Sequence, residues 1–390
     1  MKVEDFKSPL GSLIPISGTD ARLREYDHFA FQPDPLPDRV ELTSATWTAV
    51  VRAGEALGRL NQACSNLPYP RLLVTPALYR EARTTSELEG THATTEQILQ
   101  ATLPFDATTT PETAEIVAYV EIADDAFGLI RERPLSLGLL CSAQEKLAKH
   151  SVKTSLDPGK VREHRVVIGP DECRVEDARF VPPLPGAQLE ADLRDWLTWV
   201  EQPPVDIHPI VAAAMAHYQF ETLHPFGDGN GRIGRLSVLL QLLRSGVLDE
   251  PSFSISSWLL PRRSTYQDML LRVSQIGDWD SWVGFFATTV AEQARTAADV
   301  GRGLVEWRSH LLAELNQRNY SGTIVSLAND LIEWPYISTK GVSLRYDVSQ
   351  PAAQKAIDRL EELGFITERT GRSYARRWGA DFVMNSVETL

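Results

Sequence analysis

The sequence predicts a mainly α protein, with one short β-hairpin inside its helical core and a winged helix-turn-helix at its C-terminal end. Three observations carry that prediction. Apolar residues recur at three- and four-residue steps through most of residues 43–317, the period of helices that bury one face. Within that span only VREHRVVIGP, with alternating apolar positions and bounding Gly159 and Gly169, has the two-residue period of a strand or hairpin. From about Gly322 the order becomes a helix, a turn, a second helix over about 349–363, and two short strands joined at Thr370-Gly371. That is the element order of a winged helix-turn-helix.

In chain order, the first forty residues are rich in Pro, Asp and Gly (FQPDPLPDR) and are expected to wrap a surface without regular structure. LTSATWTAVVRAGEALGRLNQA follows as a helix with Trp47, Val50, Val51, Leu57 and Leu60 on its apolar face. Gly54 on that face would let a neighbouring helix come close. Thr75 as N-cap and Pro76 as first helical residue predict a second helix that ends at Gly90, a C′ glycine. Helical patterns continue over 112–131, 136–149, 187–201, 208–223, 231–245, 264–276 and 279–317, with Trp196, Trp199, Trp258, Trp279 and Trp282 as core residues. Gly364 is expected to cap the last predicted helix. The division this implies is an N-terminal helical region (1–110), a helical core (111–300), and a linker helix with the winged helix (301–390).

The chain of 390 residues is long enough for two or three domains, and 43% apolar with 23% charged residues is the ordinary globular range. No apolar run reaches the roughly 18 residues of a membrane span, and MKVEDFKSPLGS lacks the apolar centre of a signal peptide. Cys64, Cys141 and Cys173 are scattered, without metal-ligand spacing, as expected of reduced thiols in a cytoplasmic protein. A net charge of −13 argues against the whole molecule coating nucleic acid, while a local basic patch stays compatible with it.

The residues that carry chemistry lie in HPFGDGNGRIGR, His224 to Arg235. Gly229 to Gly234 formally match the dinucleotide pattern G-x-G-x-x-G, with Asp249 downstream, but that pattern needs a strand before it. Here PIVAAAMAHYQFETL keeps a helical step, and no Gly-Lys-Ser/Thr follows to make a Walker loop. Gly227, Gly229 and Gly231 leave backbone amides able to point inward as an anion nest, and the loop runs into the N-terminus of a helix. Arg232 and Arg235, three apart, share a face of its first turn and suit two successive phosphates. Asp228 is an acid in a place built for anions, which is sensible only if a divalent cation such as Mg2+ joins it to them. Asn230 can donate its amide to a phosphoryl oxygen, and His224, with an ordinary pKa of about 6.5, can take a proton at neutral pH.

The twelve residues match without departure the signature H-x-F-x-[D/E]-G-N-G-R-x-x-R, and the chain thereby resembles the Fic family (filamentation induced by cyclic AMP). The resemblance extends over about residues 40–385 and implies an all-α core that transfers AMP from ATP to a protein hydroxyl. By that resemblance His224 would deprotonate a Ser, Thr or Tyr, Phe226 would anchor the loop, and Asp228 would hold Mg2+. Asn230 and nearby amides would stabilise the α-phosphate, with Arg232 and Arg235 on the outer phosphates. Thr85 to Gly90 (TSELEG) fits the family's inhibitory motif [S/T]-x-x-x-E-[G/N], placed before the core. Glu89 would then pair with Arg235 and occupy the place of the γ-phosphate.

The segment 159–169 resembles the family's flap, where Val166, Val167 and Ile168 would pair with a target strand by β-augmentation. Pro170 stands where the family often has a second glycine. ARFVPPLP (178–185) resembles the connector after the flap, and Tyr266 is a candidate wall for the adenine, equally readable as a core tyrosine. His217 lies two helical turns before His224, without a third ligand at metal spacing, and His208 and His92 read as structural or surface residues. In the C-terminal module, residues 345–377 hold seven Lys/Arg against five Asp/Glu, a weak surplus for a DNA binder. DNA, a protein partner and a homodimer surface all stay open for it. The leading expectation is an autoinhibited protein adenylyltransferase acting on a protein target or on itself. The alternatives are removal of AMP at the same site and a nucleotide-sensing DNA-binding regulator.

Overall fold

After a short 3-10 turn (Val3–Asp5) come two nine-residue strands of an antiparallel hairpin, β1 (Gly11–Thr19) against β2 (Glu25–Pro33), in register from Gly11–Pro33 to Thr19–Glu25. The elements after it are α1 (Ser44–Ser65), α2 (Arg71–Leu88), α3 (Thr95–Ala101), α4 (Pro111–Ile130), α5 (Leu137–His150), α6 (Ala187–Glu201), α7 (Pro209–Leu223) and α8 (Asn230–Arg244). Then come α9 (Ile255–Leu259), α10 (Arg263–Ile276), α11 (Trp279–Gln317), α12 (Thr323–Asp330), β3 (Tyr336–Ser338), α13 (Thr339–Arg345), α14 (Gln350–Glu362), β4 (Thr367–Glu368), β5 (Arg377–Gly379) and α15 (Asp381–Thr389). This computed structural model describes every residue except Ala21, Pro68, 103–108, 152–156, Asp171, Arg372 and Ser373. Among the described residues no helix is long and apolar enough to cross a membrane. The protein is mostly helical, as the periodicity predicted.

The chain divides into two units, one of residues 1–55, 122–248 and 258–291, the other of 56–121, 249–257 and 292–390. Both are discontinuous in sequence, with divisions inside α1, α4, α9 and α11 and one between α8 and α9.

In the first unit the hairpin replaces the irregular segment expected for the first forty residues. Pro15 sits inside β1, whose outer edge needs no N–H there, and Asp20 holds the turn by accepting from the backbone N–H groups of Arg22 and Arg24 at 2.9 Å each. Ile16, Ala30 and Phe31 form a small core with Val175, Ala178, Phe180 and Val181, onto which Val167 and Ile168 pack. Phe31 N–H donates to Val181 C=O at 2.9 Å, so β2 runs beside the 178–185 connector. The predicted hairpin over 159–169 does not close on itself. Its end makes one antiparallel bridge, Ile168 with Phe180, because the apolar side chains are taken up by the N-terminal hairpin's core instead. On α1, Val50 is buried as expected, but Trp47 is 40% exposed and Val51 56%, and nothing lies near Gly54.

Helix α7 is apolar nearly all round and α8 over most of its length after Arg235, and both are buried on nearly every side. His208 caps α7 by accepting from Ile210 N–H at 3.2 Å, with Pro209 as first helical residue. The indole N–H groups of Trp196 and Trp282 donate to Ala216 C=O at 2.9 Å and Ala214 C=O at 2.8 Å, and fasten α6 and α11 onto α7. A Cβ on Gly234 would run into the Glu221 carboxylate and lie 3.0 Å from Phe220 Cδ1, so this glycine sets how closely α8 approaches α7.

In the second unit, α2 begins at Arg71, earlier than predicted, and carries Pro76 inside it. Pro76 is the sixth residue of the helix, past the four whose N–H groups have no intrahelical acceptor, so it removes one helical bond, the one to Leu72 C=O. The other end falls where expected, with Glu89 as C-cap and Gly90 at φ +94°. α2 is buried on most sides. Glu81, 1% exposed, accepts from the Ser254 hydroxyl at 2.8 Å, the Ser256 N–H at 3.0 Å and the Ser256 hydroxyl at 2.5 Å. Arg80 and Arg83 reach Glu388 of α15 at 3.1 and 3.0 Å, and Thr95 donates to the same carboxylate. The C-terminal sheet has the order β3-β5-β4, all antiparallel, with α12, α13 and α14 beside it and Gly364 at φ +77° closing α14.

Candidate active site

The candidate site is built where α7 stops and α8 starts, both in the first unit. His224 is the C-cap of α7, in the left-handed region at φ 47°, ψ 60°, and its N–H donates to Phe220 C=O at 2.9 Å. Its Nδ1 lies 3.3 Å from Glu221 C=O. In the tautomer where Nδ1 donates there, Nε2 carries the lone pair that a base needs. Phe226 is fully buried and anchors the loop, as the resemblance implied.

Asn230 is 2% exposed and clasps Phe226 from both sides: Oδ1 accepts from its N–H at 2.8 Å, and Nδ2 donates to its C=O at 2.7 Å. The amide assigned from sequence to a phosphoryl oxygen thus first shapes the loop, with one of its two N–H groups used in the clasp. Gly229 is the N-cap of α8 at φ +82°, where a Cβ would also come within 3.1 Å of Leu147. Gly229 has no side chain with which to cap α8, and a helix N-terminus of this kind suits an anion.

Arg232 and Arg235, each 2% exposed, follow on the first turns of α8. Arg232 Nη2 donates to Asp228 Oδ2 at 3.1 Å, across four residues. In the chain itself Asp228 thus has a buried arginine as partner, beside the metal expected for it from sequence. Asp228 keeps 30% of its side chain exposed, and a single carboxylate beside phosphates fits Mg2+, which keeps most of its ligands as water and phosphate oxygen. Among the described residues, no three His, Cys, Asp or Glu side chains gather as a metal centre.

Tyr266 is 5% exposed, with its hydroxyl 2.7 Å from His217 Nε2 and its ring stacked on that imidazole at 5.9 Å. His217 is pushed down to about 3, by burial first and by the positive charge of Arg235 second, so it stays neutral. The flap residues Val166, Val167 and Ile168 are half-buried. Glu89 and Thr85 belong to the second unit, where Thr85 is fully buried.

Two site residues were missed from sequence. Gln144 of α5 donates to Asp228 C=O at 3.1 Å and accepts from Gly159 N–H at 2.6 Å, tying the loop to the start of the flap segment. Arg162 binds the backbone around His224. Neither belongs to a spaced motif; their partners around the loop lie 61 to 84 residues away.

Residues 47–128 match the family described as Fic/DOC family N-terminal, and residues 134–242 match the Fic/DOC family. A protein adenylyltransferase fic-1 of Caenorhabditis briggsae is 39% identical over 93 residues, which are 23% of this chain and 16% of that protein. A protein adenylyltransferase Fic of Aedes aegypti is 30% identical over 200 residues, 50% of this chain and 36% of that protein. The chain thus spans well under half the length of these curated relatives. The crystal structure of a Fic family protein from Desulfovibrio desulfuricans G20 superposes with a TM-score of 0.54 at 21% identity, over 87% of this chain and 97% of that one, and shows a shared fold.

Proposed function

We propose that this chain, which carries a Fic/DOC-family N-terminal domain followed by a Fic/DOC-family domain, is a protein adenylyltransferase that transfers AMP from ATP to a protein hydroxyl and is braked by Glu89. The observation that carries the reading is the complete loop from His224 to Arg235 at an uncapped helix N-terminus. A sensor of nucleotide would have no use for its base. ATP would lie with its phosphates over the α8 N-terminus, the outer ones against Arg232 and Arg235. The target hydroxyl attacks the α-phosphorus in line and passes its proton to His224 Nε2. The new P–O bond forms as the bond to the β-phosphate oxygen breaks, and pyrophosphate leaves. Positioning and charge stabilisation do most of this work. Asp228 and the phosphates would hold Mg2+, whose charge offsets that of the leaving group.

Glu89 ends α2 at a helix C-terminus, an electrostatically poor place for an acid, which supports a role other than stability. In this reading its carboxylate takes the place of the γ-phosphate on Arg235. Val166, Val167 and Ile168 would register the target strand, and Tyr266 would back the adenine pocket. The element order and β3-β5-β4 sheet support a winged helix-turn-helix at the C-terminus. Its cations are largely spent within the module: Arg345 on Asp330 and Trp334, Arg359 on Tyr320, Arg369 on Asp381, Arg376 on Trp378. Arg372 lies outside the described residues. Affinity for DNA grows with cations available to phosphate, so we assign the module to protein contact rather than to DNA.

The test is transfer from α-labelled ATP with Mg2+ by wild type, Glu89→Gly and His224→Ala. Label on the protein that rises in Glu89→Gly and vanishes in His224→Ala supports transferase and brake together. ATP binding with no label in any of the three refutes transfer from ATP to the chain itself.

A further inference from the structure

Arg162 stands in the arm that leads to the flap and is 1% exposed. Its guanidinium donates to four backbone carbonyls: Nε to His224 at 2.7 Å, Nη2 to Pro183 at 2.6 Å and Leu223 at 3.3 Å, and Nη1 to His164 at 3.2 Å. Its own N–H donates to Pro225 C=O at 2.9 Å. Burial lowers its pKa to about 10, which still leaves it a cation at neutral pH.

A buried charge is tolerated only when its hydrogen-bonding groups are met. Here they are met by four backbone carbonyls, two of which, of Leu223 and His224, lie at the C-terminal, negative end of α7. The three consecutive carbonyls of Leu223, His224 and Pro225 flank the left-handed backbone of His224. That conformation is unfavourable by about 1 kcal/mol or more for a residue with a side chain and needs outside support to persist. The other two carbonyls belong to the flap segment (His164) and to its connector (Pro183). One rigid fork therefore joins the base, the flap and the connector.

We propose that Arg162 is a positioning residue for the transfer reaction: it fixes the backbone of His224 and locks the target-pairing segment to the same point, so that base and target hydroxyl keep one register. The inference rests on the transferase reading. A lysine would keep the charge but offers three donors from one point and cannot span the four acceptors.

The experiment places Arg162→Lys and Arg162→Gln in the Glu89→Gly background and measures the self-labelling rate at saturating ATP, the Kd for ATP, and amide exchange by mass spectrometry. Misplacing the base should lower the maximal rate about 100-fold in Arg162→Gln and about 10-fold in Arg162→Lys, with ATP affinity within about threefold of the parent. Exchange should speed up in 162–168 and 223–227 together while the interior of α7 stays protected. A rate within threefold of the parent in both variants overturns the inference. So does loss of protection across the whole first unit with ATP affinity falling alongside the rate, the mark of a merely structural residue. A parent that never labels itself would refute the transferase reading alone. The exchange pattern would then still decide whether Arg162 couples His224 to the flap.

Discussion

Replacing Glu81 with alanine should make the protein less stable and more active at once. Glu81 sits in the middle of α2, almost fully buried, and its carboxylate answers three donors, the hydroxyls of Ser254 and Ser256 and the Ser256 N–H. Removing it leaves three buried donors without an acceptor, at about 1–3 kcal/mol each, plus a small cavity. Since such terms overlap, the loss is about 4 kcal/mol. Glutamine in the same place could keep its carbonyl on Ser254 and the Ser256 N–H and turn its amide toward the Ser256 hydroxyl. It gives up only the charge assistance, about 1 kcal/mol. Thermal unfolding should show Glu81→Ala about 10 °C below wild type and Glu81→Gln a few degrees below, at about 2–4 °C per kcal/mol for a domain of this size. Because α2 carries Glu89, its loosening should release the brake, and self-labelling with α-labelled ATP should rise toward the Glu89→Gly level in the same rank order. An unchanged midpoint in Glu81→Ala would refute the hydrogen-bond reasoning. Labelling that falls in step with stability would refute the view that this contact holds the brake in place.

Three further outcomes are expected. Glu388→Gln, which weakens the pair of contacts to Arg80 and Arg83, involves a carboxylate 44% exposed; it should cost about 1 kcal/mol in unfolding experiments, and the difference should shrink in about 1 M salt. Gly234→Ala should destabilise the protein by about 1–3 kcal/mol, because α7 and α8 must part at Glu221 and Phe220, and its unfolding midpoint should drop with no change in the Mg2+ requirement of labelling. His217 is held near 3 in the folded protein, so below its ordinary pKa of about 6.5 the unfolded chain binds the extra proton. Stability is then full above about pH 6.5 and falls as pH drops toward 3, by about 2 kcal/mol at pH 5. Urea titrations of wild type and His217→Gln should show that slope flattened in the variant.

The helices were legible because their apolar period survives any tertiary arrangement: α4 to α8, α10 and α11 fall within about two residues of the predicted ranges. So was the turn from α7 into α8, since the helical period stops at Leu223 and resumes after the glycines. Proline misled twice. The proline-rich start of the chain holds an edge strand with Pro15 inside it, where no ladder N–H is needed, and Pro76 sits inside α2 at the loss of one helical bond rather than at its start. The supports of the site were hidden for another reason. Arg162 finds its acceptors in segments around 164, 183 and 223, Gln144 joins Gly159 to Asp228, and Glu81 meets serines 173 and 175 positions away. Backbone carbonyls and serines have no sequence signature, so a residue that serves them reads as an ordinary charged residue on a helix or arm.

Asp228 has two claims on it, and they predict opposite responses to metal. As the tether of Arg232 it orients a phosphate ligand; as a metal ligand it joins the phosphates through Mg2+. A carboxylate about 5 Å from a phosphate, at an effective dielectric between that of the protein surface and water, repels it by about 1–3 kcal/mol. Without metal, Asp228→Asn should therefore bind ATP about tenfold more tightly than its parent, since the repulsion is removed. With saturating Mg2+ the order should reverse, because the parent gains a bridging ion that the amide holds poorly. Isothermal titration of ATP in chelator and in Mg2+, both proteins in the Glu89→Gly background, reads this crossover. If Asp228 serves only as a tether, the variant should bind more weakly by the same factor in both conditions. Parallel losses would remove Asp228 from the metal site while leaving the anion nest and the base of the proposed mechanism intact.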